Sequence, residues 1–114
     1  MSAAALKDRL RADLKAAMRA RATDEVRLLR TLIAALDNAE AVPGAQDRHA
    51  QRAFGDPSGE VPRLVLDDAA VGRLLASEIE SRLAAADNYE RHGEAEQARR
   101  LRDEAGLVDR YAAV

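Results

Sequence analysis

A glycine between two long helical patterns limits the fold of this 114-residue chain more than any other feature. One amphipathic pattern with a helical period covers about residues 67–92, and a second covers about residues 94–112. Gly93 stands between them, and glycine is the residue that most often ends a helix in the left-handed conformation. A connection this short forces the two helices to lie antiparallel. Residues 67–114 are therefore predicted to form a helix hairpin.

The N-terminal segment, residues 1–41, predicts another helix hairpin. Its first helix, over about residues 3–21, carries an apolar row at four-residue intervals: Leu6, Leu10, Leu14 and Met18. Thr23 and Asp24 then supply an N-cap for a second helix, which continues to about Glu40. The apolar side of that helix holds Val26, Leu29, Ile33 and Leu36.

A long segment, residues 42–66, joins the two predicted hairpins. It holds all three prolines and three of the six glycines. Connections longer than about fifteen residues are usually functional or disordered, and the sequence leaves both open, with disorder the more common case. We expect one domain over residues 1–114, of the all-α class. In it two antiparallel helix hairpins pack as a four-helix domain.

Composition restricts the class of protein further. The apolar fraction is 47%, but with one Phe, two Tyr and no Trp the core must consist of aliphatic side chains, which favours helix packing. The absence of cysteine excludes disulfides and thiolate metal sites. There is no long apolar run at the N-terminus, so we expect a cytoplasmic protein without membrane contact. Two isolated histidines and no nucleotide-binding fingerprint predict no metal and no cofactor.

Charged residues interrupt the apolar face of the third predicted helix. Glu78 and Arg82 are four residues apart in the order that favours an ion pair, and both project onto the arc that holds Val71 and Leu75. Glu104 intrudes in the same way on the fourth helix, and Arg30 flanks the apolar stripe of the second. The four side chains form either a polar site between helices or a salt-bridge network that fixes helix register. The second interpretation is the more common one in proteins.

A basic row follows the apolar row of the first helix, one residue later at each step: Lys7, Arg11, Lys15 and Arg19. Like charges four residues apart cost a few tenths of a kcal/mol each in an isolated helix. An anionic partner such as nucleic-acid phosphate would offset that cost. The alternative is that the stems cover the edge of the core while the charged ends remain in water.

Two stretches of sequence carry a family resemblance. Residues 10–18 (LRADLKAAM) and 29–33 (LRTLI) resemble the opening helices of YqeY-like proteins, which contain the GatB/YqeY domain. A second set of residues resembles the second helix pair of that family: Glu78-Ile79 with Arg82, then Tyr89, Gly93, Leu101, Glu104 and Tyr111. The resemblance covers both hairpins and leaves out residues 42–66.

The resemblance implies an all-helical protein of poorly defined function. It implies a relation to the tail region of the GatB subunit of tRNA-dependent amidotransferases, where the tail engages tRNA. Members of the family usually continue into a small helical subdomain, often through a Leu-Pro pair after the final tyrosine. Here Tyr111 is followed by three residues, so that subdomain is expected to be missing. The resemblance assigns no catalytic residue.

Three functions follow as hypotheses. The first is a non-catalytic helical interaction module of the YqeY type, linked to tRNA-dependent amidotransferases or to tRNA metabolism. The second is a module that forms a homo-oligomer or binds a protein partner through its helices, without any role in tRNA. The third, and least expected, is an enzyme that uses the cluster of Glu78, Arg82 and Glu104, with carbon-nitrogen ligase activity suggested by family analogy alone.

Overall fold

The computed structural model describes residues 1–41 and 64–113, and this part of the chain is all-helical. Its helices are α1 (Ala3–Arg19), α2 (Thr23–Glu40), α3 (Asp68–Arg91) and α4 (Ala95–Ala112). Helix α1 packs against α2, and α3 packs against α4, each pair joined by a short turn. The predicted all-α fold of two antiparallel hairpins is confirmed. Most of the predicted loop, residues 42–63, lies outside the described residues, as does residue 114.

The apolar row of α1 faces the core only along its first half. Leu6 and Leu10 are fully buried, Leu14 is half-buried, and Met18 is 50% exposed. The reason is geometric, because four residues of an α-helix turn through slightly more than 360°. Each step therefore moves the row by about 40°, and by Met18 it has rotated out of the interface. Ala17, one residue earlier, takes its place in the core.

The turn between α1 and α2 is built differently from the prediction. Thr23 is already helical, and the N-cap of α2 is Ala22, which makes no side-chain cap hydrogen bond. The predicted cap at Thr23 and Asp24 is therefore wrong. The turn is a Schellman motif, in which the N–H of Ala22 donates to the carbonyl of Ala17 at 3.0 Å. This geometry places Arg21 in the left-handed region with φ of 55°, a position that glycine usually holds.

The second hairpin follows the predicted pattern closely. Asp67 is the N-cap of α3, and its Oδ1 accepts a hydrogen bond from the N–H of Ala70 at 2.7 Å. Gly93 has φ of 75°, and the N–H of Glu94 donates to the carbonyl of Tyr89 at 2.9 Å. This is again a Schellman motif, here with glycine at the left-handed position. The predicted end of the helix at Gly93 is confirmed.

One aliphatic core joins the two hairpins. Leu10, Leu29, Leu32 and Leu36 of the first hairpin are fully buried in it. The second hairpin contributes side chains from the start of α3 and the end of α4: Val71, Leu75, Val108 and Tyr111. The rest of the second hairpin buries small residues outside this core cluster: Ala86, Ala98 and Ala105. Within the described ranges, no helix has the length and apolarity needed to cross a membrane.

Candidate functional site

The basic row of α1 does not stay together as one exposed surface. The ammonium group of Lys7 lies 3.3 Å from Asp37 Oδ1 and hydrogen-bonds to Glu40 as well. The Lys7 side chain is only 13% exposed. Lys7 therefore links α1 to the C-terminal end of α2, and its charge is neutralised by two carboxylates of the same hairpin.

The other three members of the row are exposed: Arg11, Lys15 and Arg19. Arg11 approaches Asp8 at 3.7 Å, one turn earlier on the same helix, and its side chain remains 53% exposed. For Lys15 and Arg19, no carboxylate of the described residues lies within salt-bridge distance. Among the described residues, these three cations are therefore less neutralised and more open to solvent than Lys7.

Arg30 lies beside this row. Lys7 pairs with Asp37, and this pair gives the register of the antiparallel hairpin. Two turns forward from Lys7 on α1 and two turns back from Asp37 on α2, Leu14 and Lys15 come opposite Arg30. Arg30 is also seven residues before Asp37, and seven residues are close to two full turns. Both side chains of α2 therefore project toward the α1 side of the helix, and Arg30 is exposed there.

Arg27 shares a surface depression with Arg30 on α2, together with Thr23, Val26, Thr31 and Ala34. We call five of the exposed cations of the first hairpin the basic face: Arg11, Lys15, Arg19, Arg27 and Arg30. Two other exposed cations are not part of it, because Arg9 lies against the Tyr111 ring and Arg21 lies in the turn between α1 and α2. The basic face extends over two neighbouring helices. Sequence reasoning found three of its members from the four-residue spacing on α1. It missed Arg27, because a single arginine on a polar helix side gives no signal until the two helices are paired.

Most acidic side chains of the first hairpin point away from the basic face. Three of the six are directed toward the second hairpin: Asp13, Asp24 and Glu25. Two more bind the ammonium group of Lys7: Asp37 and Glu40. Of the carboxylates in residues 1–41, Asp8 is the one that neither binds Lys7 nor is directed toward the second hairpin, and it approaches Arg11 of the basic face. The hairpin thus separates its charges, although the net charge of the whole chain is −2.

Glu78, Arg82 and Glu104 come together between α3 and α4. Arg82 Nη1 donates to Glu78 Oε2 at 2.8 Å and to the Glu78 carbonyl at 3.0 Å, and Arg82 Nε donates to Glu104 Oε1 at 3.3 Å. The Arg82 side chain is 12% exposed, and both carboxylates are about a quarter exposed. The structure does not bring Arg30 to this cluster, because Arg30 lies on the α1 side of α2. The cluster links two helices by charge-assisted hydrogen bonds.

We expect Arg82→Met to lower the free energy of unfolding by about 1–3 kcal/mol, because it leaves two half-buried carboxylates without their cation. Urea denaturation followed by circular dichroism measures the change. Arg73→Met is the matched control, since Arg73 is exposed on the same helix and its removal should cost less than about 0.5 kcal/mol. Equal effects of the two substitutions would mean that the cluster does not hold α3 and α4 together.

A groove of about 250 Å³ separates the start of α2 from α4. Leu28 and Leu107 line it between charged side chains of both signs. Arg100 Nε approaches Asp24 Oδ2 across it at 3.8 Å, and Glu104 of the polar cluster forms part of its wall. Among the described residues, no group of three or more histidines, cysteines or carboxylates is arranged to hold a metal ion.

Tyr111 joins the last helix to the first. Its hydroxyl donates to Asp13 Oδ2 at 2.5 Å, and the guanidinium carbon of Arg9 lies 4.8 Å from the centre of its ring. The ring is buried, with 5% of the residue exposed. No signal in the sequence pairs residues 98 positions apart, so this contact was not predicted. It explains why Asp13 points away from the basic face.

Alkaline pH should destabilise the fold through two of these contacts. Burial, together with the hydrogen bond to Asp13, raises the pKa of Tyr111 above its ordinary value of 10.0. The hydrogen bond to Glu40, supported by Asp37, raises the pKa of Lys7 above 10.5. A raised pKa means that the folded state holds its proton longer than the unfolded state, so stability is full below about pH 10 and falls above it.

Urea denaturation at a series of pH values from neutral to above 10 measures this effect. The fall should become shallower in Tyr111→Phe, which removes one of the two groups. Tyr89→Phe is the matched control because Tyr89 is exposed on α3. A profile in Tyr111→Phe identical to that of the original chain would contradict the assignment.

A comparison with models of known protein families finds no match for this chain, and a comparison with curated protein sequences finds none either. The YqeY-like resemblance therefore stays a prediction from the residues quoted above.

Proposed function

We propose that this chain is a non-catalytic helical interaction module that binds RNA through the basic face of the first hairpin. The RNA that we propose as its partner is tRNA. The observation that carries the proposal is the separation of charge in that hairpin. Five cations lie exposed on one surface, while five of its six carboxylates bind Lys7 or point toward the second hairpin. The phosphate backbone of a nucleic acid suits such a surface, because the counterions condensed on that backbone are released when cationic side chains bind.

The YqeY-like resemblance supports tRNA as the particular partner. It connects the chain to a region of amidotransferases that engages tRNA, and residues 10–18 of that resemblance include Arg11 and Lys15 of the basic face. The polar cluster of Arg82 supports a binding role more than a catalytic one. Each of its three side chains already forms an ion pair with another member of the cluster.

The exposed apolar side chains support a protein partner less well than the basic face supports RNA. The large ones on the second hairpin are Leu83, 43% exposed, and Tyr89, 40% exposed. They are six residues apart on α3, so they project from different sides of the helix and do not form one patch. Of the other exposed large apolar side chains among the described residues, Met18 lies on the first hairpin, and Leu64 and Val65 lie just before α3.

Fluorescence anisotropy with a labelled tRNA transcript tests the proposal. At about 50 mM salt we expect saturable binding, which weakens steeply as salt is raised. Five phosphate contacts would give a slope of log affinity against log salt of about −4. Absence of binding at low salt would overturn the proposal, and binding that does not respond to salt would overturn the role given to the basic face.

A further inference from the structure

The basic face is two-dimensional, which restricts the form of nucleic acid that it fits. Arg11, Lys15 and Arg19 span about 12 Å along α1, at about 1.5 Å per residue. Arg27 and Arg30 stand on the neighbouring helix, and packed helices lie about 8–10 Å apart. The cations thus form two rows side by side. A double helix presents phosphates in the same manner, in two strands on either side of a groove.

Among the described residues, the basic face has no aromatic side chain on which the bases of a single strand could stack. Proteins that hold single strands stack successive bases on aromatic side chains. The aromatic side chains of the described residues are Tyr89 and Tyr111, and both belong to the second hairpin. Tyr111 is buried against α1, with its hydroxyl bound to Asp13. Within the described part of the chain, the basic face therefore offers charge without a stacking surface.

The cations are carried by helices that the core holds in place. Leu10 of α1 and Leu29 and Leu32 of α2 are fully buried. Lys7 fixes the register between the two helices through Asp37 and Glu40. The helices therefore fix the spacing between the two rows, and only the side chains lose freedom when a duplex binds.

From these three observations we infer that the basic face binds the phosphate backbone of a double-helical segment across one of its grooves, without recognition of individual bases. The inference rests on the proposed function and names the form of nucleic acid. On this inference a single strand, which carries one line of phosphates, engages one row of cations and leaves the second row unused.

Anisotropy with four labelled probes of equal formal charge tests the inference. The probes are an RNA stem-loop, a DNA stem-loop of the same sequence, an unstructured single-stranded RNA and polyglutamate. We expect the stem-loops to bind about 10-fold more tightly than the single strand at the same salt concentration, with a steeper salt dependence. Equal binding of the RNA and DNA stems, or preference for the RNA stem, supports contact with the backbone. Preference for the RNA stem identifies an RNA duplex as the source, equal binding identifies a duplex of either kind, and preference for the DNA stem would overturn RNA as the partner.

Replacement of the second row of cations, Arg27 and Arg30, tests the preference for stem-loops most directly. Arg27→Gln with Arg30→Gln should remove most of the preference for stem-loops while leaving single-strand binding within about threefold. Arg73→Gln with Arg91→Gln is the matched control on the second hairpin, where both side chains are exposed. Thermal unfolding of each variant establishes that the fold is retained.

The outcomes separate this inference from the proposed function. A single strand that binds as tightly as the stem-loops overturns the inference and leaves RNA binding in place. Loss of binding to all nucleic-acid probes overturns both. Polyglutamate that binds as tightly as the stem-loops also overturns both, because any polyanion would then satisfy the face.

Discussion

Leu29→Ala should lower the free energy of unfolding by about 2–5 kcal/mol, the largest change in stability that we expect from a single substitution in this chain. Leu29 is fully buried in the core that joins the hairpins. Truncation removes apolar contacts and leaves a cavity that rigid helices close only in part. A domain of this size has a total stability of about 5–15 kcal/mol, so the variant should be much closer to unfolding.

Leu83→Ala is the matched control for this prediction. It removes the same atoms from the same residue type, but Leu83 is 43% exposed on α3. Its cost should stay below about 1 kcal/mol, since much of its side chain is already in water. Urea denaturation followed by circular dichroism measures both variants. A Leu29 effect no larger than the Leu83 effect would contradict the packing of α2 into the shared core.

Combined replacement of Arg11, Lys15 and Arg19 by glutamine should weaken tRNA binding about 100-fold at low salt. The three side chains are exposed, so the change should act on binding and leave stability nearly unaltered. The slope of log affinity against log salt should become shallower by about 3, because three phosphate contacts are lost. Anisotropy at several salt concentrations measures both quantities.

The control for this triple variant carries the same change of charge on the other hairpin. Arg73, Arg91 and Arg110 are exposed on α3 and α4, and their replacement by glutamine should weaken binding less than about threefold. Comparable losses in the two triple variants would show that net charge governs binding, and would contradict the basic face. Lys7 is left out of both variants, because its loss would break a contact between α1 and α2.

Local signals made most of the fold predictable. Asp67 and Gly93 bound α3 through side-chain capping and positive φ, which are properties of single residues and their neighbours. The first turn was harder, because Arg21 adopts the left-handed conformation that is usually marked by glycine. Nothing in the sequence distinguishes such an arginine from an ordinary helical one. The predicted cap therefore fell one or two residues too late.

The set of residues that forms the site was less predictable than the fold, because it depends on which sides of neighbouring helices face each other. A helical wheel places Arg30 at the edge of the apolar stripe of α2 but does not say whether that edge faces α1 or α4. The pairing of Lys7 with Asp37 answers this, and it moves Arg30 from the polar cluster to the basic face. The same pairing removes Lys7 from the exposed row. By contrast, Glu78 and Arg82 were placed together by their spacing on one helix, which requires no tertiary information.

The central claim, that RNA binds to one face of the first hairpin, is tested most directly by an NMR titration of the ¹⁵N-labelled chain with a tRNA transcript. We predict that amide signals of Arg11, Lys15, Arg19, Arg27 and Arg30 shift or broaden first, and that the effect weakens when salt is added. Signals around Tyr89 and Gly93, at the far end of the second hairpin, should remain unchanged. Perturbations concentrated at that end, or none at any salt concentration, would contradict the account.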